Sequence, residues 1–149
     1  MDAHIEGVRV AGTAEGPLPV VLIGVDGEAE AVLPIFIGFD EAVSIARGLD
    51  ANGIGRPLTH DLTLDIIEEL GGRVDRVVIS GLEEGTFIAD LHLDTPRETV
   101  VVDARPSDSL ALVSRTDAPI EVEESVFEAG QRGRDDFEDL EDIREVAGL

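Results

Sequence analysis

The sequence contains no lysine, no cysteine, no tryptophan and no tyrosine, and each absence closes off a class of protein. Without cysteine there are no disulfides and no thiolate-held zinc or iron–sulfur centre. With five Phe as the only large aromatic residues, a nucleic-acid binder built on rows of stacking platforms has little to work with. Long apolar runs are missing too. None approaches the roughly 20 residues that span a bilayer, and Met1 to Glu6 is charged, without the apolar segment of a secretory signal. The expectation is a cytoplasmic protein with no membrane partner.

Positive charge is scarce: 11 basic residues, all Arg, face 33 acidic ones, for a net charge of −22. Such a balance fits either a polyanion decoy or a surface adapted to molar salt. At about 1 M salt the Debye length is only about 3 Å, so self-repulsion costs little stability. The missing Lys and the spread of acid along the chain favour salt adaptation. The charge repels nucleic acid in dilute buffer, but in molar salt a local Arg cluster still acts. Charge alone therefore does not decide the substrate.

What is present is enough for one domain: 149 residues, 43% of them hydrophobic and mostly Val, Ile, Leu and Ala. Strands are predicted over His4–Thr13, Leu18–Val25 and Ala31–Ile37, with Pro34 marking an edge or bulge. Asp40 and Glu41 then open a helix whose apolar face is Ala42, Ile45, Ala46 and Leu49, ended by Gly48 and Asn52-Gly53. After the Arg56-Pro57-Leu58 connector, Thr59 is expected to cap a second helix that buries Leu62, Ile66, Ile67 and Leu70 and stops at Gly71-Gly72. Strands follow over Val74–Ser80, Thr86–Asp94 and Glu98–Asp103, with a turn at Gly81–Gly85. Pro106 starts a third helix, and Pro119–Val122 and Glu123–Ala129 form a short strand and a helical turn. The segments 31–46 and 98–111 share a pattern of strand, tight elbow, acidic first turn and small-residue helix. The fold class read from this is α+β: two related β-β-β-α halves with a mixed or antiparallel sheet, joined by a middle helix. Gly130–Leu149 carries seven acidic residues and reads as a marginal helix or disorder, dispensable for chemistry.

Polar residues gather at the three helix starts, where free N–H groups and the positive dipole end favour phosphate. Arg56 and Arg105 supply guanidinium forks for phosphate, with Ser107 beside them. His60 is the candidate for proton transfer. Asp103 and Asp108 are candidates to act in catalysis and to hold Mg²⁺ or Mn²⁺ through oxygen, with Asp61 and Glu41 in support. Each residue also has a plainer reading. Asp61, Asp108 and Glu41 complement helix dipoles, and the arginines pair with neighbouring carboxylates. His92 with Asp90 and Asp94 on one strand face reads as an alternating solvated face rather than a metal site. There is no HExxH, P-loop or GxSxG pattern.

In combination these words are more specific than apart. LPIFIGFDEAVSIARGL (33–49), RPLTHDL (56–62), GTFIADLHL (85–93) and VDARPSDSLAL (102–112), in this order, resemble the bifunctional nuclease family. The resemblance runs from about His4 to Ala129, which sets a nuclease domain over 1–129 and an acidic tail over 130–149. It implies an α+β domain, hydrolysis of both DNA and RNA, and a cytoplasmic location in prokaryotes, but not a mechanism. Relatives commonly carry an aromatic residue at the place of Ile88, which this chain lacks. The alternatives are a non-catalytic module for a nucleotide or other anionic ligand, and a partner-docking domain using the acidic tail. The apolar strands and the Pro34 edge suggest a homodimer.

Overall fold

Two three-stranded antiparallel meanders carry the alternating Val, Ile and Leu residues. The computed structural model describes residues 1–50 and 57–149. The first meander is β1 (Asp2–Thr13), β2 (Gly16–Val25) and β3 (Ala31–Phe36), and it runs into α1 (Phe39–Leu49). Next comes α2 (Thr59–Glu69). The second meander is β4 (Arg73–Glu83), β5 (Thr86–Asp94) and β6 (Thr99–Ala104), and it runs into α3 (Pro106–Val113). The chain continues through β7 (Ile120–Val122) and α4 (Glu124–Gly130). β8 (Arg132–Gly133), a 3₁₀ helix (Arg134–Phe137), β9 (Glu141–Asp142) and α5 (Ile143–Ala147) complete it.

The strands form one mostly antiparallel sheet in the order β6-β5-β4-β7-β1-β2-β3-β8, with β9 pairing β1. The short strand β7 joins the meanders. Ile120 stands opposite Val77 in parallel β4 and opposite Ala3 in antiparallel β1. α3 packs against α1, α2, β4 and β5, and its residues are almost all buried, so it is the axle of the helical layer. The small residues of PSDSLALV permit that position. Gly48 helps from the α1 side: a Cβ there would stand 2.9 Å from Ser114 Cβ, so glycine lets the end of α3 approach.

Several expectations are refined. The turn of the second meander is only Glu84-Gly85, both at positive φ (50° and 81°), the backbone of a tight hairpin. Gly81 lies within β4, where the register shifts between Ile79 and Gly81. Pro34 faces Leu22 of β2, and on its other side β8 reaches only Ala31 and Val32. The proline therefore sits where no further ladder is needed. Leu58, not Thr59, occupies the N-cap of α2. The apolar stripe expected on α2 is mostly wrong: Leu62, Ile66 and Leu70 are exposed, and Leu64 is the buried residue. The tail is not one amphipathic helix. Ile143 enters the core, β9 pairs β1, and Arg144 reaches Asp50 at 2.8 Å.

Candidate functional site: a hydrogen-bonded chain at three helix starts

The first turns of α1, α2 and α3 meet. Arg105, the N-cap residue of α3, forks onto Asp108 with Nε at 2.9 Å from Oδ2 and Nη2 at 3.3 Å from Oδ1. The same Nη2 lies 3.5 Å from Glu41 Oε1 in the first turn of α1. Asp108 Oδ1 is also 2.9 Å from His60 Nε2, in the first turn of α2. The other ring nitrogen, Nδ1, is 2.6 Å from Ser44 Oγ of α1. Segments 48 residues apart in sequence thus share one chain of contacts: Ser44, His60, Asp108, Arg105, Glu41.

A second anchor holds this chain from behind. The Arg115 side chain, only 9% exposed, donates from Nε to Asp61 Oδ1 at 2.5 Å. Its Nη1 donates to the carbonyls of Ser44 (3.1 Å) and Ala111 (2.8 Å), and its Nη2 to Ser44 Oγ at 3.1 Å. Asp61 Oδ2 accepts the Leu58 N–H at 2.8 Å, closing the start of α2. These partners assign the protons. Arg115 can only donate, so Ser44 Oγ accepts from it; the Asp108 carboxylate can only accept, so His60 Nε2 donates to it, which in the neutral ring leaves Nδ1 to accept from Ser44 Oγ. The neutral imidazole then carries its proton on Nε2 and donates to Asp108.

Charge follows from this geometry. Burial pushes the Asp108 carboxyl up, but the hydrogen bonds from Arg105 and His60 outweigh it and hold the group below its usual range. The hydrogen bond that Arg105 donates to the Asp108 carboxylate, reinforced by Glu41, raises Arg105. The Arg115 hydrogen bond lowers Asp61 against partial burial, helped by the Leu58 N–H. A carboxyl lowered in the folded state stabilises the fold above its unfolded value near 3.8, and that stability is lost as pH falls through the folded value. Below about pH 4 the wild type should therefore lose part of its stability advantage over Asp61→Asn. Thermal unfolding of both proteins from pH 6 to pH 2 reads this. Parallel pH profiles would refute the assignment.

Exposure sorts the roles. The Arg105 side chain is 66% exposed and Asp108 37%, while His60 is 15% exposed. The ion pair at Arg105 is therefore open to an incoming anion, and the Arg115–Asp61 anchor is closed. Beside Arg105 lies an open groove of about 650 Å³, lined by Phe36, Phe87, Ile88, Asp103 and Ser107 among others.

Of the expected site residues, Glu41, His60, Asp61, Arg105 and Asp108 are brought together. Asp103 stands apart on β6 opposite Asp90, and meets Arg105 and Ser107 only along the groove. Arg56 lies outside the described residues. Among the described residues no three His or acidic groups gather to hold an ion, and both Asp108 oxygens are engaged. The Asp90, His92 and Asp94 face is polar and partly exposed, with Asp94 bonded to Arg73 at 2.7 Å. Sequence reasoning missed Ser44 and Arg115. Their signals were faint: a hydroxyl four residues before Gly48 on α1, and an Arg one turn beyond Ala111 at the end of α3.

The sheet with its helical layer and this polar chain define an α+β protein with an acid–imidazole–guanidinium cluster suited to anion chemistry. Residues 20–133 match the family model described as the bifunctional nuclease domain, and the chain belongs to that family. It is 42% identical over 128 residues to an uncharacterized protein of Mycobacterium tuberculosis, covering 85% of this chain and 73% of the relative. It is 26% identical over 113 residues to Bifunctional nuclease 2 of Oryza sativa subsp. japonica, and 23% identical over 109 residues to Bifunctional nuclease 1 of Oryza sativa subsp. indica. Those matches cover 74% and 71% of this chain, but only 35% and 33% of the rice proteins. No helix among the described residues is long and apolar enough to cross a membrane.

Proposed function

We propose that this chain hydrolyses phosphodiester bonds in DNA and RNA with low sequence specificity, in the cytoplasm of a salt-adapted cell. The observation that carries the reading is the contact chain from buried Ser44 through His60 and Asp108 to the exposed Arg105. The names of the rice relatives point the same way.

In this reading Arg105 exchanges one carboxylate contact for a substrate phosphate, aided by the free N–H groups at the start of α3. Asp108 faces the reacting centre and handles the proton. His60, with both nitrogens engaged, holds Asp108 in place through its Nε2 contact. Asp61 and Glu41 fix the helix starts, and Arg56 supplies a second phosphate contact. Mg²⁺ or Mn²⁺ at Asp103 and Asp108 is an assay variable, with no step assigned to it.

The test uses purified protein in molar KCl on single- and double-stranded DNA and RNA, with and without Mn²⁺. Cleavage that falls in His60→Ala and Asp103→Ala is expected. Equal rates in wild type and both variants would assign the activity to a contaminant. The same preparation in light scattering reads the second copy that the apolar edge strand β6 is open to. One observation favours a non-catalytic binding module instead: neither His60 nitrogen is free to act as a base. A nucleotide-induced thermal shift without any turnover would select that reading.

A further inference from the structure

The groove beside Arg105 has an unusual wall for this chain. Only five Phe exist in the sequence, and two of them, Phe36 from β3 and Phe87 from β5, line the groove. Phe36 is 51% exposed, a poor place for a scarce aromatic unless something covers it. Phe87 is held from behind: a Cβ on Gly130 would stand 3.0 Å from its ring, so glycine makes room for that position. Ile35, Ile37 and Ile88 extend the apolar lining, and about 650 Å³ lies within the range of small-ligand sites.

The polar side chains of the groove are Thr86, Asp103, Arg105 and Ser107. Arg105 and the start of α3 present positive charge, and Asp103 presents an exposed carboxylate. Asp103 has no hydrogen-bond or ion-pair partner among the described residues. Apolar walls, one cation and one acceptor-only carboxylate describe a ligand with a flat apolar face, an anionic group and N–H donors on its edge. A nucleotide has all three. A fatty chain leaves Asp103 unmatched.

We infer that this groove is a nucleobase subsite that prefers guanine, with the base against Phe36 and its phosphate toward Arg105. An ionised carboxylate accepts two hydrogen bonds side by side, and guanine presents adjacent N1–H and N2–H donors that match it. Uracil presents a single edge N–H between two carbonyls, which a carboxylate repels. Asp103 is then a specificity residue: it sets which base is held, and its loss lowers cleavage by loosening that hold rather than by removing a proton-transfer group. The inference rests on the nuclease reading of the neighbouring cluster, and it adds a base preference to it.

The test is equilibrium binding by calorimetry in molar KCl, using GMP, UMP and inorganic phosphate on the full chain. GMP is expected to bind at least about tenfold tighter than phosphate, and tighter than UMP. Phe36→Ala should weaken GMP by roughly tenfold or more while leaving phosphate unchanged, since base stacking carries that much. Asp103→Asn should erase the preference for GMP over UMP and keep the stacking. Unfolding temperatures of both variants, which alter exposed side chains, confirm that each is folded. Equal binding of GMP, UMP and phosphate, or GMP binding untouched by Phe36→Ala, overturns the subsite. Cleavage assays separate the two claims. Base-selective binding without turnover removes the nuclease reading alone, and turnover without base selectivity removes the subsite alone.

Discussion

Asp108→Asn is expected to lower phosphodiester cleavage by about 10²–10⁴-fold, the range in which a positioned acid–base group contributes. The substitution keeps the shape of the side chain and removes its charge. Arg105 then loses its closest anionic partner and keeps only Glu41 at 3.5 Å, so its fork turns more readily to a phosphate. Substrate binding should hold or tighten while kcat collapses, which separates Asp108 from a residue that only binds. Arg105→Lys should show the opposite split, because a point charge cannot replace a bidentate fork. Its main effect belongs on KM. Initial rates over a substrate series in molar KCl read both parameters. A kcat for Asp108→Asn within threefold of wild type would remove Asp108 from the chemistry.

The largest stability effect should come from Arg115. Its guanidinium meets Asp61, two main-chain carbonyls and Ser44 Oγ in one buried position. Arg115→Met fills similar volume but removes all of these bonds, and leaves Asp61 Oδ1 and Ser44 Oγ without their cationic donor. Breaking a fully buried pair costs about 3–5 kcal/mol, and because Asp61 is 38% exposed we expect about 2–3 kcal/mol here. For a chain of this length that corresponds to a fall in unfolding temperature of roughly 5–10 °C. Activity should fall as well, since Ser44 and His60 lose their fixed orientation. A change under about 1 kcal/mol in denaturant titration would show that the anchor is dispensable.

The α2 helix shows why spacing alone misled. Leu62, Ile66 and Leu70 recur every four residues and satisfy a helical stripe as well as any core face does. They point outward because His60 and Asp61 are the residues that must face α1 and α3. His60 reaches Ser44 and Asp108, and Asp61 reaches Arg115. These contacts fix the rotation of the helix and carry Leu64 inward, one turn from His60. Periodicity says that a helix has two faces. It does not say which face a partner will select.

The tail carries the same lesson at longer range. Its acidic composition suggested disorder or a loose helix, yet Ile143 is 1% exposed and Arg134 pairs with Glu6 across the sheet. Composition averages over twenty residues and hides one apolar anchor. Phe36 and Phe87 were equally illegible as a pair, because 51 positions separate them and only the packing of β3 near β5 brings both to one groove.

By itself the sequence determined the alternation of strands and helices, the helix starts and their acidic first turns, and the polar words that belong near a site. All of these follow from local rules of period, capping and turn geometry acting over a few residues. Only the tertiary structure decided that β7 would join the two meanders, that α2 would turn its polar edge inward, and that Ser44 and Arg115 would tie the helix starts together. Those outcomes depend on contacts between residues tens of positions apart. Their energy exists only once the chain has closed on itself.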